Sequence, residues 1–100
     1  MPPIGRPRTK QRVRVFYSGH VQGVGFRLTA EETARNFPVR GWVRNLRDGR
    51  VELVAEGQTA VLTQFLEAVR QGPMKNFIKD VKVSWGECLD EFTDFEIRYF

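Results

Sequence analysis

Apolar positions alternate from Val13 to Tyr17, and Val13, Val15 and Tyr17 fall on one face of a strand spanning Val13–Ser18. From Phe26 the period lengthens. Phe26, Ala30, Thr33, Ala34 and Phe37 recur at three- and four-residue spacing, which predicts a helix from Phe26 to Asn36. Arg27, Glu31 and Arg35 occupy a different stripe, where Glu31 and Arg35 can pair one turn apart. Pro38 closes this helix, because the residue before a proline avoids the α region. Alternation returns over Val39–Leu46, with Val39, Gly41, Val43 and Asn45 on one face and Arg40, Trp42 and Arg44 on the other. Asp48-Gly49 is a hairpin turn, and Arg50–Glu56 is its return strand. Beyond Gly57, the positions Val61, Leu62, Phe65, Leu66 and Val69 form an amphipathic helix. Gly72-Pro73 stops it, with Arg70 complementing the dipole in the last turn. Phe77–Trp85 reads as a strand with Val81, Val83 and Trp85 on one face, and Phe95–Phe100 as a short closing strand.

This order, β-α-β-β-α-β with an extra strand, belongs to the α+β class. It fits the split βαβ, or ferredoxin-like, sandwich: an antiparallel sheet with both helices on one face and an extra short strand. The pattern leaves open which of the last two strands pairs with the first.

Composition narrows the picture. One hundred residues suffice for one core, and no apolar run reaches membrane-spanning length. The first ten residues contain no apolar signal-peptide core; their prolines and basic side chains read as a flexible basic arm over residues 1–11, before a domain at 12–100. The net charge is +4, but Arg6, Arg8, Lys10, Arg12 and Arg14 all precede residue 15 with no acid among them. Setting those five aside leaves eleven basic residues against twelve acids, so the body of the domain is near neutral. The arm is therefore read as a solvated tail, and a nucleic-acid partner is not expected. A lone Cys88 excludes an internal disulfide, which fits a cytoplasmic setting, and one histidine with one cysteine gives no basis for a zinc site.

The candidate chemistry lies in Gly19-His20-Val21-Gln22-Gly23-Val24-Gly25-Phe26-Arg27, between the first strand and the first helix. Glycines let successive N–H groups turn inward around an anion, and a helix N-terminus adds partial positive charge. Arg27 adds a planar fork of donors suited to phosphate oxygens. The cradle of Gly23, Val24, Gly25, Phe26 and Arg27 reads as a phosphate site, against the alternative of a plain structural turn. It matches neither the Walker pattern nor the dinucleotide fingerprint, and no cysteine precedes Arg27 within it. His20 reads as a solvent-exposed loop residue. Asn45 is an amide on an otherwise core-directed strand face. Two readings stay open: a turn residue bonding its own backbone, or an amide at the strand end that orients a water beside the cradle.

These residues carry a resemblance. Gly19–Arg27 is similar to the first signature of the acylphosphatase family. Gly41-Trp42-Val43-Arg44-Asn45, followed by Gly49-Arg50-Val51 and by Gly57, is similar to the second. The resemblance runs from about Val13 to Tyr99. It implies metal-independent hydrolysis of the carboxyl–phosphate bond of small acyl phosphates, giving a carboxylate and inorganic phosphate. No cofactor is expected, and the chain is expected to be a monomer, although the sequence itself does not reveal the oligomeric state. It also implies that Arg27 binds the phosphate and Asn45 positions the attacking water. Leu46 stands where some relatives have a hydroxyl residue, a departure that bears on rate or acyl preference. Two rivals are weaker. An RNA-recognition module of this fold would carry stacking aromatics where Arg50–Glu56 carries acids. A carbamoyl-phosphate-handling domain of the same family would be embedded in a longer chain, whereas this one ends at Phe100.

Overall fold

The computed structural model describes residues 9–99. Five strands form one sheet: β1 (Lys10–Gly19), β2 (Arg40–Asn45), β3 (Val51–Gln58), β4 (Ile78–Glu87) and β5 (Phe95–Arg98). Their order is β4-β1-β3-β2-β5. Helix α1 (Phe26–Ala34) follows β1, and α2 (Thr59–Gln71) follows β3. The expected ferredoxin-like α+β architecture is the one observed. β1 starts at Lys10, so Lys10 and Gln11 continue the strand and pair with Gln58 and Gly57. The Thr9 carbonyl accepts the Thr59 N–H at 2.9 Å, and residues 1–8 of the basic arm lie outside the described residues, as does Phe100, the last residue of the expected closing strand.

The sequence left the places of the last two strands open. β4 takes the edge beside β1, antiparallel to it, and β5 takes the opposite edge, beside β2. The expectation of a purely antiparallel sheet is corrected here: β5 runs parallel to β2, in the register Gly41↔Phe95 to Arg44↔Arg98. The cause is directional. β4 runs opposite to β1, and β1 and β2 are each antiparallel to β3. A chain that leaves β4, crosses the sheet end and reverses must therefore enter the far edge in the direction of β2. Residues 88–94 make that crossing, held by the Glu56 carboxylate, which accepts the backbone N–H groups of Leu89 (2.7 Å) and Glu91 (3.3 Å).

The alternation places Val13, Val15 and Tyr17 of β1 opposite Ala55, Leu53 and Val51 of β3, all buried. Phe26, Ala30 and Ala34 from α1, and Leu62, Phe65 and Val69 from α2, complete the core. The Phe65 ring lies 5.9 Å from Phe37 and 5.6 Å from Phe95, joining both helices' side of the core to the far edge of the sheet. α1 ends at Ala34, two residues before the expected Asn36. Arg35, Asn36 and Phe37 instead donate to carbonyls three residues back, tightening the last turn ahead of Pro38.

On the opposite sheet face, alternation alone is misleading. Trp42 points away from the helices as expected, yet it is buried, because the Arg44 and Arg98 guanidinium groups lie 4.9 and 5.1 Å from its ring. Glu52, also buried, is paired with Arg14 and with Arg44 at 2.9 Å. Stacked and paired arginines cover this face in place of a helix layer.

Candidate active site

β1, β2 and β5 share one direction, so their C-terminal ends meet at one end of the sheet. The cradle leaves β1 there, β2 ends there in Asn45, and β5 delivers Ile97 and Tyr99. These segments enclose a cleft of 260 Å³ lined by Val21, Gly23, Gly25, Phe26, Arg27, Leu28, Asn45, Ile97 and Tyr99. Arg27 and Asn45, 18 positions apart in sequence, thus face one small space. Gly23, Gly25 and Phe26 line it with them, while Val24 is half-buried against the core and is not a lining residue. His20 is exposed and outside the cleft; its backbone N–H donates to the Phe77 carbonyl at 2.9 Å.

The local conformation follows from the glycines. Gly25 is the N-cap of α1 at φ 85°, ψ 20°, in the left-handed region, where a side chain is strained even though a Cβ would meet open space. The loop therefore turns sharply into the helix, with Gly23, Gly25 and Phe26 lining the cleft. Among the described residues, no side chain caps the first amides of the helix and no acid lies in the first turn. The positive end of the helix is left uncompensated beside Arg27. Below it, Tyr17 packs its ring 4.8 Å from Phe26 and anchors the helix start; burial raises the Tyr17 pKa. The Arg27 guanidinium lies 4.8 Å from the centre of the Tyr99 ring, which orients it at the cleft.

Asn45 pairs with Val51 as the last residue of β2. Its Oδ1 is buried, and among the described residues nothing donates to it. The turn beyond it is served by Asp48. The Asp48 Oδ1 accepts the Arg50 N–H at 3.1 Å, and this bond, more than any other cause, lowers the Asp48 pKa.

Sequence reasoning missed the part that joins the two halves. Gln22 donates from Nε2 to the carbonyls of Leu46 (2.7 Å) and Arg50 (2.9 Å), tying the cradle to the base of the β2–β3 hairpin. The only hint was a long amide among glycines and valines. Leu46 enters this clamp through its backbone, and it does not line the cleft.

The acylphosphatase family model matches residues 13–97. The chain belongs to the acylphosphatase family. An acylphosphatase from Salinibacter ruber is 44% identical over 90 residues, covering 90% of this chain and 95% of that protein. The crystal structure of the Bacillus subtilis acylphosphatase superposes with a TM-score of 0.82 at 38% identity, covering 89% of this chain and 99% of that one. The Coxiella burnetii acylphosphatase gives 0.79 at 30% identity, covering 96% and 100%. The activity of this family is the hydrolysis of acyl phosphates, so the chain is a hydrolase whose substrate is an acyl phosphate and whose product includes inorganic phosphate. Among the described residues, no helix is long and apolar enough to cross a membrane.

Proposed function

We propose that the cleft between the cradle and β2 is the hydrolytic site, with Arg27 as phosphate anchor and Asn45 as the group that holds the attacking water. That Asn45, an amide on an otherwise apolar strand face, lines the same cleft as Arg27 carries this reading. Backbone N–H groups from Gly23 to Arg27 and the guanidinium fork hold the phosphoryl oxygens, where charge is stabilised through a loose transition state. The Asn45 side-chain amide hydrogen-bonds the water and sets it in line with the leaving oxygen. Water oxygen bonds to phosphorus as the P–O bond to the acyl carboxylate breaks. The bonding pair leaves with the carboxylate, and a phosphoryl oxygen takes the water proton.

The lining residues include no carboxylate, imidazole or thiol, so they supply no set of metal ligands and no conventional general base. That supports a metal-independent reaction without a cofactor, aided by the good carboxylate leaving group. The Glu56, Cys88 and Asp90 side chains do gather, but at the other end of the sheet, and Glu56 is already occupied by two backbone N–H groups. The reading extends to a monomer acting on small acyl phosphates in the cytoplasm, where a lone Cys88 fits a reducing compartment. The test is phosphate release from benzoyl phosphate in excess chelator. Sustained turnover is expected; loss of turnover that magnesium restores would refute the mechanism.

A further inference from the structure

Beside the polar groups, the same cleft has apolar lining from Leu28, Ile97 and Tyr99. Leu28 is 53% exposed and Tyr99 74% exposed. The core does not explain Leu28. The buried stripe of α1 is Phe26, Ala30 and Ala34, and Leu28 sits two residues from Phe26, on the far side of the helix. Isolated exposed leucines need no explanation. Here, however, two exposed apolar side chains and the half-buried Ile97 border the cleft that holds Arg27. The Tyr99 ring stacks on that guanidinium, so apolar surface begins beside the phosphate anchor.

We infer that Leu28, Ile97 and Tyr99 form the acyl subsite, and that it selects small uncharged acyl groups with an apolar or aromatic body. The inference rests on the assignment of Arg27 as the phosphate anchor. Once phosphate occupies Arg27, the lining residues offer an acyl carboxylate no free cation and an acyl ammonium no carboxylate. A charged acyl group would lose hydration there without gaining a partner. Size acts in the same direction: 260 Å³ lies below the roughly 300–1,000 Å³ of pockets for drug-sized ligands. Apolar acyl contacts are made in the ground state and kept in the transition state, so they are read in kcat/KM.

The test compares benzoyl, acetyl and succinyl phosphate on the full chain, on Leu28→Ala and on Leu28→Lys. Intrinsic reactivity cancels when each substrate ratio is compared between proteins. Leu28→Ala should lower kcat/KM for benzoyl phosphate about fivefold more than for acetyl phosphate, a shift in the range of lost methylene contacts in an apolar pocket. Leu28→Lys should shift preference toward succinyl phosphate, whose carboxylate gains a cation. Equal losses on all substrates in both variants would overturn the acyl subsite while leaving the phosphate site standing. Failure of the unsubstituted chain to hydrolyse any of the three would overturn the phosphate site as well.

Discussion

Replacing Asn45 with alanine separates a water-holding amide from a structural one. In the folded chain Oδ1 accepts nothing from the described residues, so its removal breaks no hydrogen bond with them. Stability should change by no more than about 1 kcal/mol, a few degrees in Tm for a domain of this size. Turnover should respond very differently. An interaction made with the attacking water strengthens as the transition state forms, and losing one such positioned group costs on the order of 3 kcal/mol of barrier. At about 1.4 kcal/mol per decade, that is a fall in kcat of roughly a hundredfold or more. Competitive inhibition by inorganic phosphate should persist, because Arg27 and the cradle amides are untouched. Steady-state hydrolysis of benzoyl phosphate, phosphate inhibition and a melting curve on the one variant give all three quantities. A folded Asn45→Ala protein with undiminished kcat would refute the assignment. A lowered Tm with normal kcat would restore Asn45 to a structural role.

Arg27→Lys keeps the charge but loses the planar fork and its stacking on Tyr99, so phosphate inhibition and kcat/KM should both fall at least tenfold; near-normal phosphate inhibition would remove Arg27 as the anchor. Gln22→Ala should lower kcat without changing the identity of any cleft group, since it cuts both bonds from the cradle to the hairpin that carries Asn45, and Gln22→Glu, which cannot donate to those carbonyls when ionised, should not rescue it. Tyr17 bears on pH. Its pKa is raised by burial, so above about pH 10 the unfolded chain loses a proton that the native chain keeps, and stability falls as pH rises. Tyr17→Phe should flatten that alkaline fall in denaturant midpoints, and an identical pH profile would show that another group is responsible.

The legibility of this chain in its sequence followed the range of each interaction. Period-two alternation in β1 and β3 and the helical stripes of α1 and α2 are local, and their side chains lie where that periodicity puts them. The cradle was legible because glycines and an arginine carry their chemistry within nine consecutive residues. Asn45 stood out as a polar residue on an apolar face, but that it shares a cleft with Arg27, and that Asp48 serves the turn, are seen only in the structure. The buried Trp42, Glu52 and Glu56 were not legible as such, because the arginines and the crossing segment that cover them come from distant strands or the β4–β5 connection. Ile97 and Tyr99 were missed for a topological reason. The pattern left the edge taken by the last strand open, and only the edge beside β2 brings those residues to Arg27.

That topological point bears on how the site is held. The cradle is a loop at a helix start, while Asn45 sits on a strand paired through Val43 to both β3 and β5. Each half is rigid by itself: Tyr17 and Phe26 lock the helix start, and the ladder locks Asn45. Misplacement by about 1 Å at the chemistry can cost roughly two orders of magnitude in rate, so the distance between the halves matters as much as either half. Two connections span that distance. Gln22 grips the hairpin carbonyls on one side of the cleft, and Tyr99, carried by the parallel strand β5, stacks on Arg27 on the other. The strand that departs from an all-antiparallel sheet thus completes the cleft, because only a strand running with β2 can end beside Asn45 and deliver an aromatic ring to Arg27.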